Sequence, residues 1–155
     1  MKLYLVRHGE ATSEAENPKR PLSAAGRAEV EQMARHLGRV AAAPEGFVVR
    51  HSGKLRAAQT ADVLAAHLPL RQPPGQADGL APGDPPEGTL DLIDAAESGL
   101  MLVGHLPHLG RLASLLLSGE SDRISFVLPA AAAVCLEVES GRWRLHWLLT
   151  PALTG

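Results

Sequence analysis

A three-layer α/β/α fold, with a mostly parallel central sheet and an antiparallel hairpin at its C-terminal end, is the class this sequence predicts. Three observations carry it. Short apolar runs alternate with helical patterns in the order β-α-β-α-loop-α-β-α-β-β. Two of those runs, Leu3-Tyr4-Leu5-Val6 and Leu100-Met101-Leu102-Val103, read as fully buried strands, as expected of a sheet covered on both faces. Near the end, Ser140-Gly141 separates two strand-like segments, which is a hairpin signal.

Residues 3–6 form the first strand, and residues 10–20 are a polar loop closed by Pro18 and Pro21. Ser23 has the side chain of an N-cap. Beyond it Val30, Met33, Ala34 and Leu37 repeat at i, i+3, i+4 and i+7, one face of a helix, and Gly38 is its expected stop. Gly26 falls in the first turn of this helix, and propensity gives it no reason to be there. A connector over 41–46 leads to a short strand at Phe47-Val48-Val49. The second helix spans about 55–67, with Ala57, Ala61, Leu64, Ala65 and Leu68 inward and Pro69 as its stop. Residues 69–88 are rich in proline and glycine, with at most a short strand around 70–72. So long a loop in a compact domain is usually functional or mobile. A third helix is expected over 89–98, with Leu90 and Ile93 inward, and a fourth over 109–117, ended by Ser118-Gly119. Residues 130–138 are a strand. In the last strand Trp143, Leu145 and Trp147 alternate with Arg142, Arg144 and His146, which predicts one wet face. No repeat or domain boundary interrupts the pattern, so residues 1–155 are expected to form a single domain.

Composition narrows the function. The formal net charge of −2 provides no global basic field, so neither nucleic acid nor a membrane surface is an expected partner. Aromatic residues make up only 3%, so Ala, Leu and Val must build the core. Cys135 is the single cysteine, so it forms no internal disulfide and is expected to be a small core residue. No stretch approaches the ~18 apolar residues of a membrane span, and a cytoplasmic location is expected.

Chemistry concentrates where strands end. Val6-Arg7-His8-Gly9 and Val103-Gly104-His105 both run from a buried strand into a histidine. A third strand ends near His51-Ser52, with Arg56 in the first turn of the next helix. In an open α/β sheet, ligands bind outside the carboxyl ends of the strands. If these three strands are neighbours, one mouth holds Arg7, His8, Arg56 and His105. Such a cluster repels itself unless an anion sits there, and phosphate fits the forked guanidinium. Helix N-termini near Arg56 and His108 would add positive dipole ends. The spacing His105-x-x-His108 is not expected to bind metal, because no carboxylate or thiolate completes a ligand set. His36, His67 and His146 are expected at the surface, and Trp143 and Trp147 in the core.

Five segments in order resemble the signature of the histidine phosphatase superfamily, whose fold is phosphoglycerate-mutase-like. They are Arg7-His8-Gly9-Glu10; Arg20-Pro21-Leu22-Ser23 with Gly26; the run from His51-Ser52-Gly53 through Arg56-Ala57-Ala58-Gln59-Thr60-Ala61; Asp78-Gly79-Leu80-Ala81-Pro82; and Val103-Gly104-His105-Leu106-Pro107. The short length and compact Arg20-Pro21-Leu22 segment look most like the SixA-type phosphohistidine phosphatases. The resemblance implies that His8 is the nucleophile and forms a phosphohistidine intermediate that water hydrolyses. It implies that Arg7, Arg56 and His105 hold the phosphoryl oxygens, with Arg20 as a further ligand. It implies no metal and no cofactor. Phosphate or sulfate is expected to occupy the same site. The substrate would be a phosphorylated molecule, such as a phosphohistidine-bearing protein.

Two departures stand out. Gly53 replaces the family's usual proline. The general acid, usually a glutamate in the loop after the second helix, aligns with Asp78, one methylene shorter, with Asp84 and Glu87 as rivals. The alternatives are a phosphomonoesterase for a small metabolite and a non-catalytic module that binds phosphate or a phosphoprotein.

Overall fold

A computed structural model of the chain describes residues 1–41, 43 and 45–155; the connector expected over 41–46 contains Ala42 and Pro44, which lie outside the described residues. β1 (Lys2–Arg7) shows how the layers arise. Its side chains alternate between two cores, with Tyr4 and Val6 in one and Leu3 and Leu5 in the other. The first core is closed by α1 (Ala24–Val40) through Val30, Met33, Ala34 and Leu37, and by α2 (Leu55–Ala65) through Ala57, Ala61 and Leu64. The second is closed by α3 (Leu90–Asp94) through Ile93 and by α4 (His108–Ser118) through Leu109, Leu112 and Ala113.

The remaining strands are β2 (Val48–His51), β3 (Gly75–Gln76), β4 (Leu100–Gly104), β5 (Ala133–Glu139) and β6 (Arg142–Leu149). The sheet order is β3-β2-β4-β1-β5-β6. The four strands from β3 to β1 are parallel, and β5 and β6 are added antiparallel. The three strands that end in site residues are therefore neighbours. Their register pairs Arg7 with Gly104 and His51 with Val103, so the carboxyl ends of β1, β4 and β2 lie level on one edge.

Ser23 caps α1 as its side chain predicts, accepting the Gly26 N–H at 2.9 Å. Gly26 now has a reason. A Cβ at this position would lie 2.1 Å from the Glu10 carbonyl oxygen, which also accepts the Ser23 N–H at 2.9 Å. The loop after β1 is thus bonded flat against the first turn of α1. Gly26→Ala is expected to lower the unfolding free energy by at least about 2 kcal/mol, the scale of an overpacked site with a backbone neighbour. Urea unfolding of the two proteins measures it.

Several boundaries differ from the expectation. Gly38 does not stop α1, which continues to Val40. The glycine instead lets the His67 carbonyl approach to 2.7 Å of where a Cβ would be, so it serves the packing of α1 on the end of α2. Ala65 is half-buried rather than fully inward. Leu70 makes a single parallel bridge to Phe47, and the regular pairing comes later, at Gly75–Gln76. The helix expected to reach residue 98 is a 3₁₀ turn at Pro86–Thr89 followed by a short α3, because the chain must turn back into β4 where Gly99 rests on Phe47.

The largest correction is in β6. A β-bulge between Cys135 and Leu136 places Leu145-His146 against a single step of β5. The extra residue reverses the alternation. Trp147 packs with Tyr4 in the first core, whereas Trp143 packs in the second, so the two tryptophans lie on opposite faces. The hairpin turn itself is as expected: Ser140 and Gly141 have φ of 51° and 75°, the left-handed pair of a type I′ turn.

Candidate active site

The His8 backbone is fixed on both sides. Its N–H donates to the Gly104 carbonyl of β4 at 3.0 Å, and its carbonyl accepts from the Ala131 N–H at 3.1 Å. Its side chain is fixed by its neighbour. Nδ1 lies 2.7 Å from the Gly9 carbonyl oxygen, which has no proton to give, so Nδ1 carries the hydrogen. In the neutral ring Nε2 is then left with a free lone pair. Gly9 is held in turn, its N–H donating to Thr60 Oγ1 at 3.1 Å. Thr60 lies one helical turn beyond Arg56, whose carbonyl accepts its hydroxyl hydrogen at 2.8 Å.

The surroundings keep that ring neutral. The pKa of His8 falls to about 4, first because the ring is buried and then because the Arg56, Arg7 and Arg20 guanidiniums repel a second positive charge. His105 stands beside it, with ring centroids 4.9 Å apart. Its pKa falls to about 3, chiefly through burial, with His8, Arg56 and Lys54 adding repulsion. The structure therefore gathers Arg7, His8, Arg56 and His105, the residues of the strand-end pattern, into one electropositive cluster, and brings to it Arg20, which the family resemblance singled out.

Each arginine is placed by a different device. Arg7 closes β1, and its Nη1 donates to the Leu128 carbonyl at 2.6 Å. Arg56 sits in the first turn of α2, where the positive end of the helix disfavours a cation. Its pKa is lowered by burial and by Arg20. Arg20 has φ of 47°, a left-handed conformation that costs a non-glycine residue roughly 1 kcal/mol. Its N–H bonds to the Asn17 carbonyl at 2.9 Å and its Nε to the Thr12 carbonyl at 3.2 Å. Backbone strain of this kind clusters at ligand clamps and active sites. Nε of Arg7, Nε of Arg56 and Nδ1 of His105 are buried and make no hydrogen bond among the described residues. Crowded cations with unused polar atoms suit an anion with several oxygens, such as a tetrahedral oxyanion.

The candidate acids Asp78, Asp84 and Glu87 all lie on the segment that follows β3. Ala77 N–H donates to the His51 carbonyl at 3.0 Å, so Asp78 emerges at the carboxyl edge of the sheet and is exposed. The loop then folds back over β4, with the Leu80 carbonyl 3.6 Å from the Cβ position of Gly104. Asp84 Oδ2 accepts the Ala81 N–H at 2.9 Å and so shapes this loop. Glu87 is exposed in the 3₁₀ turn. Among the described residues no hydrogen bond joins any of these carboxylates to His8 or His105.

Some contributors escape a reading of the sequence. Ser52 Oγ lies 2.6 Å from His105 Nε2, and the Lys54 N–H is 3.4 Å from the same oxygen. Ser52 belongs to the strand-end segment, but its partner lies 53 residues away. The Leu128 carbonyl carries no side-chain signal at all. His108, at the start of α4, is fully buried and bonds through Nε2 to Thr89 Oγ1 at 3.0 Å. Thr89 reaches the Gly79 carbonyl at 3.2 Å, so His108 ties down the loop that carries Asp78. Gly53 has φ of 88°, a backbone closed to proline, so the departure changes the shape of this turn.

Residues 3–81 match the sequence model of the histidine phosphatase superfamily, branch 1. An uncharacterized protein of Picosynechococcus sp. is 35% identical over 153 residues, covering 94% of this chain and 90% of that one. Among solved structures, the protein histidine phosphatase SixA complexed with tungstate superposes with a TM-score of 0.84 at 24% identity, covering 100% of both chains. Phosphoserine phosphatase of Entamoeba histolytica in complex with 3-phosphoglyceric acid gives 0.73 at 16% identity over 96% of each chain. These two share the fold of this chain.

Proposed function

The chain belongs to the histidine phosphatase superfamily, with a phosphoglycerate-mutase-like fold, and from that premise we propose that it is a metal-independent phosphatase working through a covalent phosphohistidine on His8. The observation that carries the proposal is the state of His8: neutral, with Nδ1–H committed to the Gly9 carbonyl, among three guanidiniums.

The reaction follows from that state. Nε2 uses its lone pair to attack phosphorus in line with the leaving group. The N–P bond forms as the bond to the leaving atom breaks, and that atom departs with the electron pair and takes up a proton. Water then attacks the phosphohistidine, releasing inorganic phosphate and restoring the neutral ring. Arg7, Arg20, Arg56 and His105 bind the non-bridging oxygens and stabilise the charge that spreads over them. The guanidiniums supply the positive charge that a metal ion gives other phosphatases.

The substrate proposed is a phosphohistidine on a protein. The SixA likeness supports it, and so does the weak placement of the acid. A phosphoramidate nitrogen is protonated from solvent more readily than an alkoxide oxygen, so little help is needed from Asp78 or Asp84. Asp78→Asn is therefore expected to change phosphoramidate turnover by less than threefold while slowing an alkyl phosphate more, up to the roughly 10²-fold of a lost general acid. A severe loss on phosphoramidate would sink the idea. Among the described residues no helix is long and apolar enough to cross a membrane, and a cytoplasmic location fits this reading.

The direct test is hydrolysis of p-nitrophenyl phosphate and phosphoramidate in EDTA, with quenching to trap an acid-labile, base-stable phosphoryl group on the protein. Turnover that survives EDTA and leaves such a label supports the proposal. Phosphate binding without turnover would make the chain a binding module.

A further inference from the structure

The geometry points to a second subsite beside the phosphoryl pocket: an apolar groove that docks the residues flanking the phosphorylated side chain of a protein substrate. This assignment rests on the phosphatase reading above and specifies what the same site recognises.

The groove is a cavity of about 280 Å³ between the start of α4 and the segment before β5. Its apolar wall is Leu106, Pro107, Ile124 and Phe126, and Arg111 and Asp122 add one charge of each sign. Its wall adjoins the site along the chain at two points. Leu106 directly follows His105, and Phe126 lies two residues before Leu128, whose carbonyl holds Arg7 at 2.6 Å. One and two Cα steps are at most about 4 and 7 Å. The residues flanking a phosphoryl group bound at His8 therefore lie within reach of the groove.

The groove is preformed. Ser114, buried in α4, donates from Oγ to the Glu120 carbonyl at 2.6 Å and accepts the Ile124 N–H at 2.9 Å. Ser118 Oγ bonds to the same Glu120 carbonyl at 3.1 Å. These bonds fix the far wall to the helix.

Two observations favour a polypeptide as the occupant. A cavity of this size falls just below the roughly 300 Å³ at which pockets begin to bury a small ligand. It holds one or two side chains and leaves the rest of a substrate outside. Val127, next in the chain to Phe126 of the groove wall, is 85% exposed, an apolar side chain offered to solvent. Apolar surface rimmed by charge is the mark of a protein contact. The neighbouring pocket is strongly cationic, so the two together match a phosphorylated residue with apolar neighbours. A small polar metabolite would leave the groove empty.

The test uses two synthetic phosphohistidine peptides, one with leucines on either side of the phosphohistidine and one with aspartates, together with phosphoramidate. The unchanged chain is expected to prefer the leucine peptide by about tenfold or more in kcat/KM, the range of apolar-pocket discrimination. Phe126→Ala and Val127→Asp are each expected to bring that preference below about threefold through KM, with phosphoramidate turnover within twofold of the parent. Val127 is exposed, so its variant remains informative if Phe126→Ala fails to fold. Equal use of both peptides by the unchanged chain overturns the assignment. So does a preference that survives both substitutions. A parallel loss on phosphoramidate in Val127→Asp would show that the residue acts through the Leu128–Arg7 contact instead, which also overturns it. Absence of phosphoramidate turnover by the unchanged chain, by contrast, removes the phosphatase reading itself.

Discussion

Replacing His8 by alanine is expected to lower kcat by at least about 10³-fold on every substrate, because loss of a covalent nucleophile removes the step on which the other groups act. The parent chain, quenched in acid-free denaturant during turnover, is expected to carry a phosphoryl label stable to base and lost in acid, and the variant none. Folding should survive. Among the described residues the His8 ring hydrogen-bonds only to the carbonyl of the next residue, and the backbone bonds to Gly104 and Ala131 do not depend on its side chain. Circular dichroism and unfolding midpoints separate the two effects. Residual activity above a tenth of the parent's would reject His8 as the nucleophile.

The same histidine sets the acid limit. A ring whose pKa lies near 4 stays unprotonated as pH falls through 6, and becomes protonated and unreactive only below its own pKa. The acid limb of kcat/KM, which reports the free enzyme, is therefore expected well below the ordinary histidine value of about 6.5. The substrate's own second ionisation, near pH 6 for a monoester, has to be divided out first. A limb that stays at 6.5 after that correction would mean that the ring is not shielded as described.

Replacing Arg56 by glutamine is expected to cost 10²- to 10³-fold in kcat, about 3 to 4 kcal/mol of transition-state stabilisation, the scale of one lost charge-stabilising donor. Three further readouts distinguish this from damage to the fold. Inorganic phosphate should bind more weakly. The acid limb should move to higher pH, because Arg56 is the largest of the cationic contributions to His8, but only part of the way, because burial is the larger cause. The unfolding midpoint should hold or rise. Arg56 is a partly buried cation that sits near Arg20 at the positive end of α2, so its charge works against the folded state. Loss of activity accompanied by loss of stability would instead make Arg56 a structural residue.

Much of the site was legible in the sequence because its parts are local. A buried strand that ends in Arg7-His8, a second that ends in His105, and Arg56 opening a helix can each be recognised within a few residues. Sheet topology needed one further assumption, that the three strands are neighbours, and the parallel register Arg7 with Gly104 and His51 with Val103 bears it out. The segment resemblance added Arg20, whose strained backbone no periodicity could have revealed. It also marked Gly26 as required, and the structure gives the reason in the Glu10 carbonyl pressed against it.

The sequence by itself determined the layer order, the strand ends and the residue types that meet at them, since apolar period, caps and turn residues are short-range physics. Tertiary structure decided the rest. The bulge opposite Cys135 set the two tryptophans on opposite faces, because one unpaired residue inverts a period of two and leaves no mark in composition. Gly38 continues its helix because the His67 carbonyl, 29 positions on, needs the space. The bond from Ser52 to His105, the Leu128 carbonyl on Arg7, and the loop tied down by His108 join residues far apart in the chain. Contacts of that kind follow from packing whole elements together, and a backbone carbonyl has no residue type by which it could be read in advance.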